Sequence, residues 1–319
     1  MRWVEPDVRE EVISLVNIYK PKSDLPLSFF LSSFGITSSK FFSWIPRRGN
    51  ANRHNGTAPR KHWITPVERD AIINFAKKNP DEGYRRLTYI MLDKDIAAVS
   101  PSTTYRVLKQ EDLLNRWNNL KSSSKGTGFI QPQKPHEHWH TDIKYVNYHG
   151  TFLFLISVID GYTRYILHHE LRQNMQEYDV EFTLQRTIEK FPAVNPKLIT
   201  DNGSQFISKD FNEYLRHAGL QHIRTSVNYP QSNGKIERYH RTFHEEFLTK
   251  KSLIDLDDAR KSGNCLTQFV NFYNTKRLHS ALFYLTPEDF LLNRIDQRLN
   301  QRELKLTLAR LKRYHYVQS

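Results

Sequence analysis

Three acids in this sequence sit in surroundings that suit metal-assisted chemistry. Asp142 closes Trp139-His140-Thr141-Asp142 inside an alternating run, Asp201 heads Asp-Asn-Gly-Ser-Gln-Phe, and Glu237 lies within Asn228–His240, NYPQSNGKIERYH. A carboxylate in the middle of a strand is costly unless it is paired or binds a metal. Asn202 and Gly203 permit a tight turn directly after a strand, the usual place for site residues in an α/β sheet. Pro230 and Gly234 mark a turn before Glu237, and strong helix formers follow it. A lone Glu there would simply complement the positive end of the helix dipole. Beside two other acids it can instead complete an all-oxygen set, the donors that a hard divalent ion such as Mg²⁺ selects. Between Asp201 and Glu237 lie 35 residues.

The elements that must position these acids are legible from periodicity. His138–Val146 alternates, Gly150–Tyr162 reads as a buried strand ending in Asp-Gly, and Arg164–Arg172 is a third β-rich run. A helix around Glu177–Lys190, a short strand Lys197–Thr200, a helix near Lys209–His217, a strand from His222 and the helix holding Glu237 follow. Three strands able to form hairpins, then alternating helices and strands, predict a mixed α/β sheet with Asp142 on a central strand. Ahead of it, helices over Glu5–Tyr19, Leu27–Phe34 and Ile36–Trp44 have the outline of a helix-turn-helix over residues 1–45. A basic linker, 46–62, carries Arg47 and Arg48. A second helix-turn-helix over 63–120 is expected from Thr65-Pro66 with Glu68 at capping-box spacing and from Ser100-Pro101, and it contains Arg85, Arg86 and Arg106. The Ser/Gly/Lys-rich stretch within 121–134 reads as a linker.

Composition limits the partner. The 319 residues carry 47 Lys and Arg against 34 Asp and Glu, a formal charge of +13, as expected of a protein that sits on a polyanion. No run approaches the about 18 apolar residues of a membrane span, so nucleic acid leads membrane as the partner. A single cysteine, Cys265, excludes an internal disulfide and any multi-cysteine zinc site, and the chain is expected in a reducing cytoplasm.

WHTDIKY, ITDNGSQF and YPQSNGKIERYHRTFHEE resemble the catalytic core of DDE transposases of bacterial insertion sequences, within the retroviral-integrase superfamily. The similarity runs from Pro135 to Phe290 and includes NFYNTKRLHSALFYLTPEDF. The resemblance implies a ribonuclease-H-like core over 135–290, preceded by the two small all-α DNA-binding domains and followed by a basic helical tail, 291–319. It implies that Asp142 bridges two Mg²⁺ ions, with Mn²⁺ as a substitute, while Asp201 and Glu237 each complete one site. The implied function is a transposase that binds terminal inverted repeats, cleaves at the ends and joins the 3'-OH to target double-stranded DNA, acting as a homo-oligomer. A nuclease that cuts without joining and a DNA-binding regulator that has lost catalysis are the alternatives.

Other residues are read more modestly. Asn233 and Arg241 lie about one turn either side of Glu237, in reach of a phosphate backbone near the scissile bond, whereas Lys235 and Arg238 point elsewhere, as DNA contacts or as solvated charge. His136, His138 and His140 alternate towards Asp142 and could suggest a histidine metal site, though no further ligand accompanies them. Asp160 reads as a turn former. Leu304, Leu308 and Leu311 form one helical stripe, for subunit contact or core packing.

Overall fold

A computed structural model describes residues 6–49, 63–114, 131–148, 151–225, 233–248 and 259–318. Most of the expected linker 46–62, much of the linker 121–134 and most of the turn ahead of Glu237 lie outside the described residues. The chain divides into two compact units, one within residues 1–63 and one spanning 64–316.

The first unit contains α1 (Pro6–Tyr19), α2 (Leu27–Ser33) and α3 (Ser38–Trp44). Val12, Ile13 and Val16 of α1, Leu31 of α2 and Phe41 and Trp44 of α3 form its core. Gly35, with φ of +65°, makes the turn between α2 and α3, a conformation for which glycine carries no Cβ penalty.

The larger unit opens with α4 (Pro66–Lys78), α5 (Tyr84–Asp93) and α6 (Pro101–Gln110). Thr65 and Glu68 form the capping box expected from their spacing, and Ser100 caps α6. Ile72, Leu87, Met91, Val107 and Leu108 pack these helices around one small core.

A five-stranded sheet follows: β1 (His138–Tyr148), β2 (Thr151–Asp160), β3 (Ile166–Arg172), β4 (Lys197–Thr200) and β5 (Gln221–Arg224). Their order is β3-β2-β1-β4-β5, with the first three antiparallel and β1, β4 and β5 parallel. Side chains alternate between the two faces. Trp139, Ile143, Ile156, Val158 and Leu198 pack on one face against α7 (Glu177–Lys190), the short α8 (Ser204–Ile207) and α9 (Lys209–His217). Val146, Leu155, Ile159 and Ile166 pack on the other against α10 (Gly234–Phe243), the π-helical turn His244–Leu248 and α11 (Ala259–Thr275). This mixed sheet flanked by helices is ribonuclease-H-like.

After α12 (Pro287–Leu291), α13 (Ile295–Gln318) returns to the α4–α6 block. Arg302, almost fully buried, grips both carboxylate oxygens of Asp93 at 2.9 and 2.7 Å and donates to the carbonyls of Phe283 and Tyr284. Arg313 grips Glu68 through Nε and Nη2, the latter at 2.7 Å, and donates to the carbonyl of Ala98. The tail is thus a strap that ties the second helical block to the segment closing the sheet. Leu304, Leu308 and Leu311 lie on its opposite side and are exposed.

Removing one partner of a buried, bidentate pair leaves the other charge uncompensated. Arg313→Met is expected to lower stability by about 2–3 kcal/mol, short of the full cost because Glu68 keeps some solvent contact. Burial raises Glu68, but Arg313 and the cap N–H outweigh it and hold the carboxyl below its ordinary 4.5. A depressed carboxyl contributes stability above its unfolded pKa and loses it as pH falls. The gap between wild type and R313M in denaturant unfolding should therefore narrow in acid.

Candidate active site

Asp142 lies on the central strand and shares a face with Val146, the face covered by α10. Across β2 its partner is Ser157. On the other side, β1 and β4 run parallel with His140 opposite Ile199, so continuing the register two residues puts Asp201, just past the end of β4, level with Asp142. Asp201 is held by a tight turn, in which the Gly203 N–H donates to Oδ1 at 2.9 Å. The Asn202 amide donates to the Thr225 carbonyl at 2.8 Å and anchors that turn to the end of β5.

Glu237 comes from the first turn of α10. Ile236, Tyr239 and Phe243 seat the helix on the sheet, and Glu237 stays exposed beside them. One turn later, His240 Nδ1 lies 3.5 Å from Asp142 Oδ2. His240 was not singled out from sequence, although three residues after Glu237 it had to share that side of the helix.

The electrostatics join the three acids. Burial chiefly, and then the charge of Asp142, push Asp201 up, against the Gly203 hydrogen bond. Burial and Asp142 push Glu237 up as well, against the lowering effect of His240. Three carboxylates on one side of a sheet repel unless a cation joins them, and their all-oxygen donors fit a hard divalent ion. Among the described residues no three His, Cys, Asp or Glu side chains are close enough together to hold an ion as they stand.

The remaining residues fall into two groups. Arg238 and Arg241 are exposed on α10, Arg47 and Arg48 at the end of the first unit's third helix, and Arg85 and Arg106 on the second block. Arg85 and Arg106 line one open concavity of about 430 Å³ with Tyr84, Tyr105, Pro101 and Ser102. Three others differ from expectation because they are drawn inward. Asn233 is buried beside His140, Lys235 is closed off from solvent at its Nζ, and Arg86 is engaged by Glu82 at 2.8 Å and Glu246 at 3.6 Å. The three histidines do not converge: the His136 ring accepts from Trp139 Nε1 at 3.2 Å and packs on Phe191, while His138 and His140 lie on the α10 face. Asp160 is a turn former whose Oδ1 accepts from the N–H groups of Tyr162 and Thr163 and from the Thr163 hydroxyl.

Integrase core domain models match residues 132–230 and 218–287. Transposase InsD of insertion element IS2D from Escherichia coli K12 is 25% identical over 229 residues, 67% of this chain and 75% of that protein. ORF3 of Spiroplasma virus SpV1-C74, by its name an integrase, is 33% identical over 113 residues, which span 32% of this chain and only 30% of that protein. The HTLV-2 integrase catalytic core domain in complex with magnesium overlays with a TM-score of 0.41 at 17% identity, over 50% of this chain and 98% of that one. Residues 132–287 thus match an integrase core domain, of the DDE polynucleotidyl-transferase type, and the chain is similar to transposases of insertion elements.

The repulsion among the acids makes a measurable prediction. A carboxyl raised above its unfolded pKa contributes stability below that pKa and loses it as pH rises through the folded value, so at neutral pH Asp201 is a net burden on the metal-free protein. Asp201→Asn keeps the acceptor for Gly203 and removes the charge. By thermal unfolding at pH 7 without metal it should melt about 2 °C higher than wild type, and added Mn²⁺ should stabilise it less.

Proposed function

We propose that this protein is a transposase that binds the terminal inverted repeats of its element, cleaves DNA at the ends and joins the freed 3'-OH to target DNA by transesterification. The observation that carries the reading is the placement of Asp142 and Asp201 level with each other on adjacent parallel strands, with Glu237 brought to the same face by α10. Asp142, Asp201 and Glu237 would hold two Mg²⁺ ions, with Mn²⁺ as a substitute. When bound, such a pair neutralises charge at the attacking and leaving oxygens of the displacement.

The chain's own residues supply the rest. Asp142 is fixed by the strand and Asp201 by its turn, so two ligands arrive preset, and only Glu237 on its helix has to travel. Arg238 and Arg241, one residue and one turn beyond Glu237, offer charge to the phosphates flanking the reacting bond. Arg85 and Arg106, which share one concavity, and Arg47 and Arg48 in the first unit are the proposed contacts to duplex DNA further out, together with helix N-termini. In this reading residues 1–45 and 63–120 are the DNA-binding domains and 135–290 the catalytic core. The tail 291–319 holds the second domain to that core. Assembly as a homo-oligomer on DNA would bring two element ends together.

A strand-transfer assay on terminal-repeat DNA separates a transposase from a nuclease and from a regulator. Asp142→Asn and Glu237→Gln are each expected to reduce both cleavage and joining by about a thousandfold or more while repeat binding stays within about twofold, since metal ligation is lost and the basic surface is kept. Affinity for the repeat should fall steeply with salt, and by more for unrelated DNA. Cleavage without any joined product would make the protein a nuclease; near wild-type cleavage by either variant would remove the carboxylate assignment.

A further inference from the structure

On the face of the sheet turned away from Asp142, a polar chain reaches Asp201 from behind. Side chains alternate along β4, so Thr200 shares the face of Leu198, which packs with Phe211 and Leu215 of α9. Thr200 is wholly buried. Its hydroxyl donates to the Asp201 carbonyl at 2.8 Å and lies 2.9 Å from His222 Nε2. A hydroxyl has one proton. With that proton given to the carbonyl, the Thr200 oxygen can only accept, so the ring proton belongs on Nε2.

The imidazole is itself held in place. β4 and β5 pair in parallel with Leu198 opposite His222 and Thr200 opposite Arg224. The Phe211 ring of α9 meets the imidazole edge to face at 5.7 Å, and Asn212 Oδ1 stands 3.3 Å from its Nδ1. Asn212 is placed by its own amide, which donates to the Ser208 carbonyl at 2.6 Å. At the other end of the chain, the Asp201 carbonyl belongs to the peptide that leads into the turn. Its direction sets ψ of Asp201, one of the two soft angles of that residue, and so decides whether the Gly203 N–H can reach Oδ1 at 2.9 Å. β5 grips the same turn at two further points. The Thr225 N–H donates to the Thr200 carbonyl at 3.0 Å, and the Asn202 amide to the Thr225 carbonyl at 2.8 Å. These bonds tie the turn to the sheet, whereas the Thr200 hydroxyl acts on the Asp201 carbonyl itself.

We propose that Thr200 and His222 are positioning residues for Asp201: the imidazole holds the Thr200 hydroxyl on the Asp201 carbonyl, which fixes the peptide after Asp201 and the direction in which its carboxylate meets a divalent ion. The pair acts through the backbone from the far face of the sheet. With the carbonyl released, Asp201 can rotate about ψ, and its carboxylate is no longer preset level with Asp142. This inference rests on the carboxylate-site reading above.

The test uses the full-length protein with Thr200→Val, Thr200→Ser, His222→Phe, His222→Gln, the double variant of Thr200→Val with His222→Phe, and Asp201→Asn. Mn²⁺ binding to the metal-free protein is followed by calorimetry, and cleavage of repeat DNA is resolved into kcat and KM. T200V and H222F are each expected to bind Mn²⁺ about tenfold more weakly and to lose about tenfold in kcat, with KM for DNA within about twofold. T200S keeps the hydroxyl and H222Q keeps an N–H donor, so both should recover most of the loss. The double variant should bind no more weakly than T200V, since both changes break one chain. Should T200V or H222F fail to fold, T200A or H222L takes its place in the same measurements. Unchanged Mn²⁺ affinity and kcat in a folded variant, a serine or glutamine that restores nothing, losses that add in the double variant, or a rise in KM alone would each overturn the proposal. D201N separates the two readings. If it binds Mn²⁺ as wild type does, the carboxylate site itself is wrong. If D201N loses binding while T200V and H222F do not, only the positioning role falls.

Discussion

Two carboxylates held level with each other on adjacent strands are the constraint around which the larger unit is arranged. Asp142 raises the energy of the charged forms of Asp201 and Glu237, so the fold must hold like charges together against their repulsion. It does so with rigid parts. Asp142 is fixed by its pairing with β2 on the central strand, and Asp201 by an Asx turn tied to the end of β5. The apolar layers on both faces of the sheet supply the stability against which that repulsion is set.

The third acid is held differently. α10 lies on the sheet through Ile236, Tyr239 and Phe243, and His240 in its last turn stands 3.5 Å from Asp142. Glu237, one turn earlier, projects into solvent. Farther out, Arg302 and Arg313 of α13 bind the second helical block to the closing segment of the core, so that any DNA contact made by α5 or α6 is placed at a set position relative to the acids.

Much of this was legible in the sequence because short-range physics sets it. The alternation of His138–Val146, the caps at Thr65 and Ser100, and the turn signals after Asp160 and Asp201 each appear in the structure as read, and α7 and α9 fall on the predicted segments. Long-range pairings were less legible. Lys235 and Arg86 read as surface bases in a chain with 47 Lys and Arg, and nothing local says that the ammonium of the one is closed off from solvent or that Glu246 meets the other. The partners lie far away in sequence, so only the fold reveals them. His240 could have been found from helical spacing, while the strap formed by α13 could not, since Glu68 and Asp93 lie more than 200 residues before Arg313 and Arg302.

The most direct test of the central claim is to locate the metal itself. Crystals of the protein grown with Mn²⁺ and measured at the manganese absorption edge should show anomalous density between Asp142 and Asp201, with Glu237 turned inward as a further ligand. Manganese at His138 and His140, or bound with Asp142 and Asp201 both outside its coordination shell, would contradict the account.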